Sequence, residues 1–285
     1  MKRIITIQDI SCIGKCSLTV ALPILSAMGL ETAVLPTAVL STHTMFENPV
    51  FVDLTEQIRP ISDHWEREGF GFEAIYTGYL GSARQIELVT AFFQRFKREN
   101  TLLFVDPAMA DHGKLYSGFS PSFPEEMKKL CSKADLIIPN LTEASLLTGI
   151  PYQEQQDEAW LHKLLDGLSA LGPRFIVLTG CSLSPGRIGV LSRDCAAGRD
   201  FSYDTEKLPV SYHGTGDIFA STVLGGLENG MNLSAALKLA CGYVKDTVQA
   251  TIRNPASRRY GVDFETTLPG LIRSLEAFRS GSING

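Results

Sequence analysis

His213-Gly214-Thr215-Gly216-Asp217-Ile218-Phe219-Ala220-Ser221 is the stretch on which the reading of this chain turns. Two glycines bracket a small hydroxyl residue, and an acid follows at once. The apolar, small-residue run over 218–227 then reads as a buried helix. A glycine turn that feeds a helix leaves several backbone N–H groups unpaired and pointing outward. With the positive end of the helix dipole they make an anion site. An acid there would repel a resting phosphate, so Asp217 needs a reason. Catalysis supplies one: the amides of Gly214, Thr215 and Gly216 hold a phosphoryl group in transfer while Asp217 accepts the proton of the attacking hydroxyl. The plain alternative is a helix with an acid in its first turn, and the turn alone does not choose between the two.

Outward from this turn, short β-branched or apolar runs recur at 3–7, 32–36, 74–76, 102–105, 136–138, 175–178 and 187–191. Helical patterns lie between most of them. Ile86, Val89, Phe93 and Phe96 mark one helix face, opened by a capping-box spacing at Ser82 and Gln85. Leu161, Leu164, Leu165 and Leu168 mark another. The alternation predicts an α/β fold in three layers, a mostly parallel central sheet with helices on both faces. The pattern changes over 186–210, where two alternating segments surround residues 194–198 and predict an antiparallel hairpin, a candidate flap near 182–210. Residues 121–124 and 182–186 read as surface loops, and the tail 279–285 as loose.

Bulk composition narrows the function classes. The 285 residues, 44% hydrophobic and 20% charged, suffice for one large α/β domain or two small ones. A net charge of −5, with both signs mixed and no basic stripe, leaves nucleic-acid binding without a footprint. The six cysteines (Cys12, Cys16, Cys131, Cys181, Cys195, Cys241) show no CxxC spacing, and the first ten residues read as a strand rather than a signal peptide. That predicts reduced thiols in a cytoplasmic protein. The longest nearly apolar run, 18–30, is too short to span a bilayer and holds Pro23, so no membrane partner is expected. The five histidines form no HxxH or HxxxH pair, which argues against a dedicated zinc site.

In parallel sheets the ligand crevice lies beyond the carboxyl ends of the strands, and three such ends carry chemistry. Asp106-Pro107 closes one strand: a carboxylate for the crevice, or an ordinary strand-ending turn. Asn140-Leu141-Thr142-Glu143 follows another. Asn140 could simply cap the next helix with Glu143 completing the box. Alternatively the two belong to a magnesium and phosphate site, Glu143 acting through bound water, since Mg²⁺ keeps several waters and asks for few carboxylates. Thr179-Gly180 could touch nucleotide phosphates. No GxxxxGK[ST] sequence occurs, and no GxGxxG follows the first strand, which disfavours P-loop NTPases and dinucleotide-binding dehydrogenases.

Taken in order, these residues resemble the ribokinase superfamily and, within it, the pyridoxal kinase group. The resemblance covers essentially the whole chain. It is most specific at Gly214-Thr215-Gly216-Asp217. Supporting matches are Thr77-Gly78-Tyr79-Leu80-Gly81-Ser82, Asp106-Pro107-Ala108-Met109 and Pro139-Asn140-Leu141-Thr142-Glu143. The resemblance implies a single ribokinase-like domain over 1–285 and ATP-dependent phosphorylation of the 5′-hydroxymethyl group of a B6 vitamer. It makes Asp217 the base and the turn amides the anion hole. Asp106, Asn140, Glu143, Thr179 and Gly180 would serve ATP, with Glu143 and Asp106 organising Mg²⁺ through water. A monovalent cation such as K⁺ and a homodimer are further expectations of the same kind. By position, Thr37, His43 and Tyr79 resemble the group's ring-contacting residues, with Ser41-Thr42-His43-Thr44 in place of Ser-Asn-His-Thr. Outside that context they read as a half-buried loop cluster.

Two departures stand out. Where the group has Gln-Ser-His, this chain has Gln8-Asp9, and the group's Asp-Pro-Val-Met-Gly ends here in Ala110. Asp9 puts an acid where the pyridine ring should lie. Either it pairs with a protonated ring nitrogen or a cationic amine, favouring pyridoxamine or pyridoxine over pyridoxal, or it caps the turn toward Gly14. Some dual-function relatives carry Cys in the glycine turn; here it is Thr215, and Cys12 and Cys16 read as small packed residues. Two rivals remain: a hydroxymethylpyrimidine kinase, which shares the turn and a flat heterocycle, and a non-catalytic vitamer binder on the same scaffold.

Overall fold

The structure, a computed structural model, describes residues 2–254, 256 and 260–281. In chain order its elements are β1 (Arg3–Ile13), α1 (Leu18–Ala27), β2 (Glu31–Thr42), β3 (Phe51–Asp53), α2 (Thr55–Arg67), β4 (Ala74–Thr77), α3 (Ala83–Phe96) and β5 (Leu102–Val105). There follow β6 (Ala110–Asp111), β7 (Lys114–Leu115), α4 (Phe123–Cys131), β8 (Leu136–Ile137), α5 (Leu141–Thr148), α6 (Glu158–Ser169) and β9 (Phe175–Cys181). The last third holds β10 (Arg187–Asp194), β11 (Arg199–Glu206), α7 (Thr215–Glu228), α8 (Leu233–Arg253), a 3₁₀ turn (Phe264–Thr266) and α9 (Leu268–Arg279).

The central sheet runs β11-β10-β9-β8-β5-β4-β1-β2-β3. From β9 to β2 every pairing is parallel, and antiparallel strands close both edges. The inner strands are apolar on both faces, as burial under two helical layers requires. Ile5, Ile7, Ile75 and Val105 enter one core with α3, α4 and α6. Ile4, Tyr76, Phe104 and Val177 enter the other, with α1, α7 and α8. Small residues let α7 approach its neighbours: a Cβ on Gly225 would stand 2.2 Å from Met28 Sδ.

Several boundaries differ from the sequence reading. The first two strands run on through Asp9 and Pro36. Pro36 pairs with Gln8 of β1 next to the register shift and lies outside the short β3 ladder, which covers only Ala38, Val39 and Leu40. The Ser82 hydroxyl does accept from Gln85 N, but the Gln85 side chain passes Ser82 and accepts from Gly81 N, so the box is half made. Its amide donates to Thr37 O and Thr55 Oγ1, polar acceptors more deeply buried than the helix end. Residues 123 and 124 are not loop; Phe123 and Pro124 are buried and start α4. Strands β10 and β11 pair with each other and join the sheet through β9, so they extend its edge rather than hang over it. Of the tail, Arg279 is held, its guanidinium bonded to Asn229 Oδ1 and Met28 O, and residues 282–285 lie outside the described residues.

Candidate active site

Six parallel strands deliver their carboxyl ends to one side of the sheet, and α7 begins there. At that start Gly214 is the N-cap with φ +84°. An ideal Cβ on it would lie 1.9 Å from the carbonyl oxygen of Lys15, so both conformation and space demand glycine. The N–H groups of Thr215 and Gly216, at the first two positions of the helix, have no intrahelical acceptor. Gly216 is exposed, with nothing within 4 Å of where its Cβ would stand. Thr215 does not contribute its hydroxyl; Oγ1 is bonded back to Tyr212 O.

Asp217 lies in the first turn of α7. The charge of Asp9 raises its carboxyl, and it raises that of Asp106 in turn. Burial, then Asp9, push the Asp217 carboxyl up to about 7. A carboxylate poised near neutrality suits a general base.

The Asp9 side holds the expected ring residues. Thr37 and Ala38 together oppose Asp9 where the β1–β2 register slips. Asp9 is buried, and burial raises its carboxyl, while the Ser11 hydroxyl donates to it at 3.3 Å. That bond is not a cap on the turn at Gly14. Tyr79 is half-buried, its ring 5.5 Å from that of Phe119, and it too feels Asp9. Two of the expected ring residues are engaged within the protein. Thr37 is fully buried, with its hydroxyl 3.4 Å from Tyr79 O. His43 has both ring nitrogens engaged: Nδ1 accepts from Met45 N, and Nε2 faces Tyr260 O at 3.1 Å. Only its ring surface remains to offer, and that packs on His213 at 4.7 Å. Burial lowers the pKa of both imidazoles, that of His213 to about 4, so both stay neutral. The Cys16 thiol is pushed up to about 12 by burial and Asp217, which leaves it unreactive.

The other side is built by α5. Asn140 caps that helix, accepting from the N–H groups of Thr142 and Glu143, and its amide donates to Ala110 O. Glu143 closes the box with one carboxylate oxygen on Asn140 N at 2.8 Å and spends the other on Met109 N at 3.1 Å. The capping reading of these residues is therefore realised, and Glu143, almost fully buried and raised to about 8 by desolvation, is firmly anchored. Asp106 ends β5, half-buried, and its carboxylate makes no hydrogen bond among the described residues. Burial and the nearby Glu143 and Asp217 raise it strongly. Among the described residues no group of three or more carboxylate, histidine or cysteine side chains comes together to hold a metal ion, so a divalent cation here would keep most of its waters. Asp106 would hold Mg²⁺ directly or through water, with Glu143 in support. Thr179 lies in β9 bridged to Asn140, and the carbonyl of Gly180 accepts from the Gln156 amide at 3.1 Å.

Sequence reasoning missed Lys15. It pairs with Asp263 and Glu265, both at 2.9 Å, partners about 250 residues away.

Comparison with known proteins agrees with this architecture. The phosphomethylpyrimidine kinase family matches residues 25–259. A Bacteroides thetaiotaomicron protein provisionally called a phosphomethylpyrimidine kinase, crystallised in an orthorhombic form with pyridoxal, superposes with a TM-score of 0.90 at 38% identity over 95% of each chain. Pyridoxal kinase from Lactobacillus plantarum does so with a TM-score of 0.89 at 34% identity, covering 98% of this chain and 99% of that one. The hydroxymethylpyrimidine/phosphomethylpyrimidine kinase of Mycobacterium tuberculosis is 29% identical over 196 residues, 67% of each chain. No described helix is long and apolar enough to cross a membrane.

Proposed function

Because this chain belongs to the phosphomethylpyrimidine kinase family, as a pyridoxal kinase-type member of the ribokinase superfamily, we propose that it transfers the γ-phosphoryl group of ATP to the 5′-hydroxymethyl group of a B6 vitamer. The observation that carries this reading is the position of Asp217. It sits in the first turn of α7, beside the N-terminal amides of that helix, where its carboxyl responds to the charge of Asp9 and acts on that of Asp106.

Phosphoryl transfer asks for alignment and charge neutralisation more than for covalent help. The vitamer ring lies against Tyr79, with Asp9 at its polar edge. Asp217 orients the hydroxymethyl oxygen and takes its proton as the bond to phosphorus forms. The amides of Thr215 and Gly216 offset the charge on the migrating group. Asn140, Thr179 and Gly180 border the polyphosphate. Bound Mg²⁺ supplies further neutralisation of phosphate charge. The thiol chemistry open to relatives with Cys in the turn has no counterpart at Thr215.

A second reading has its own support: the 29% identical mycobacterial relative and the family name both point to hydroxymethylpyrimidine. Pyridoxal in the 38% identical neighbour favours the B6 vitamer. A coupled ADP-release assay with pyridoxal, pyridoxamine, pyridoxine and hydroxymethylpyrimidine, with and without K⁺, separates them. The expected result is higher kcat/KM for a B6 vitamer. Preference for hydroxymethylpyrimidine rejects the substrate assignment, and no turnover of any alcohol favours a binding protein.

A further inference from the structure

Strand β9 carries one residue too many for its partner β10. Val190 faces Thr179 and Gly189 faces Cys181, so the antiparallel register passes over Gly180. An extra residue of this kind bends a strand and re-aims the groups beside it. Gly180 takes φ +79° with nothing within 4 Å of where its Cβ would stand, so conformation rather than crowding calls for glycine. The bulge follows Thr179, which bridges to the helix cap Asn140 and whose N–H donates to Pro139 O at 3.0 Å.

A side chain from another loop grips this bulge. The Gln156 amide donates to Gly180 O at 3.1 Å, and its carbonyl accepts from Ser182 N at 2.8 Å. One planar amide thus stands where a neighbouring strand would, on either side of Cys181. Gln156 is half-buried in a run, 153–159, whose other residues are exposed. Its segment is fixed at both ends. Trp160 Nε1 donates to Pro151 O at 3.2 Å, and Asp157 caps α6 by accepting from Trp160 N at 2.7 Å. Tyr152 of the same segment lies 3.0 Å from where a Cβ on Gly113 would stand, in the turn between β6 and β7. Gly113 N in turn donates to Thr142 Oγ1 in the first turn of α5. Residues 152–156 therefore run from the hairpin seated on the start of α5 to the bulge in β9.

We infer that Gln156 is a positioning residue for the nucleotide: by gripping Gly180 and Ser182 it sets the direction of the β9 end against Asn140, and with it the place of a nucleoside triphosphate's phosphates. It acts through Thr179 and Gly180, not on the reacting atoms. The inference rests on the reading of Asn140, Thr179 and Gly180 as the border of the polyphosphate.

The test compares the full-length wild type with Gln156→Ala, Gln156→Glu and the control Gln155→Ala. The readouts are calorimetry with Mg²⁺–ADP, steady-state kinetics with Mg²⁺–ATP and pyridoxal, and thermal melting. Gln156→Ala loses both bonds, so its Kd for ADP and KM for ATP rise about five- to thirtyfold, the combined worth of two neutral hydrogen bonds. Its vitamer KM, and its kcat at saturating ATP, stay within about twofold of wild type. Gln156→Glu keeps an acceptor for the Ser182 N–H but sets a carboxylate against the Gly180 carbonyl, to which it cannot donate. Its ADP affinity falls at least as far. Gln155→Ala matches wild type throughout. A Gln156→Ala protein that melts lower yet binds ADP as wild type does would reduce the clamp to a loop tether and overturn the inference. Gln156→Glu with wild-type ADP affinity, an equal rise in vitamer KM, or an equal loss in Gln155→Ala would overturn it too. A wild type that binds ADP but phosphorylates no vitamer rejects the substrate reading alone, since the ADP measurements still decide on Gln156. A wild type that binds no nucleotide rejects both.

Discussion

Gly214→Ala is the sharpest test of the glycine turn. The residue sits at φ +84°, where a non-glycine side chain costs ~1–2 kcal/mol. Its new Cβ would stand 1.9 Å from the Lys15 carbonyl oxygen, and ordinary contact begins at 3.4 Å, so the β1–α1 loop must retreat by about 1.5 Å. Overpacking of this order costs a further ~1–3 kcal/mol. The variant should therefore lose roughly 2–5 kcal/mol. At ~2–4 °C per kcal/mol for a chain of this size, Tm falls by about 4–20 °C. Because the retreating loop borders the anion hole, the folded fraction should also lose roughly a hundredfold in kcat, as an ångström-scale misplacement does. Gly216→Ala is the control, with nothing within 4 Å of its Cβ and a place in the first turn of α7. It should melt within about 1 kcal/mol of wild type or above it, while its methyl group crowds the phosphoryl site and lowers kcat. Melting and denaturant curves of the two variants, with ADP release at saturating substrates, read out both effects. Gly214→Ala with the stability and turnover of wild type would show that the turn is not built as described.

Asp217→Asn should keep vitamer binding, measured by ligand fluorescence or calorimetry, and lose ~10²–10⁴ in kcat; near-normal turnover would remove Asp217 from the role of base. The same variant carries a stability signature. The folded pKa of Asp217, about 7, lies above its unfolded value, so its contribution favours folding at low pH and is lost as pH rises through about 7. Asp217→Asn should thus melt at or above wild type at pH 8, the difference shrinking toward pH 5. In the wild type, kcat/KM should climb with pH through about 7 as the carboxylate forms; a flat profile from pH 5.5 to 8.5 would contradict that. Asp9→Ser should reduce the preference for pyridoxamine and pyridoxine over pyridoxal, and unchanged ratios among the three would leave Asp9 without a part in selectivity.

How far the sequence disclosed these features depended on the physics behind each. Strand–helix alternation and the α7 start were legible because burial periodicity and glycine chemistry are local. The Asn140–Glu143 spacing was legible as well, and its structural meaning is realised in both directions of the capping box. What the local pattern could not show was competition among partners. Gln85 abandons Ser82 N for Gly81 N because two buried acceptors, Thr37 O and Thr55 Oγ1, hold its amide. Thr37 has a hydroxyl apt for a ligand, but the extra residue in β2 turns it inward. His43 loses both nitrogens to backbone groups brought in from Met45 and Tyr260. The loop at Lys15 is set by tertiary contacts from residues 214 and 260, beyond the reach of any window along the chain.

The pairing of Lys15 with Asp263 and Glu265 has a consequence for the order of folding. The loop behind the start of α7 is tied to carboxylates about 250 positions further along the chain, and the Tyr260 carbonyl accepts from the Lys15 N–H of the same loop. Contacts of such sequence separation carry a high loop-closure cost, so this loop takes its final form after the neighbouring strands have paired.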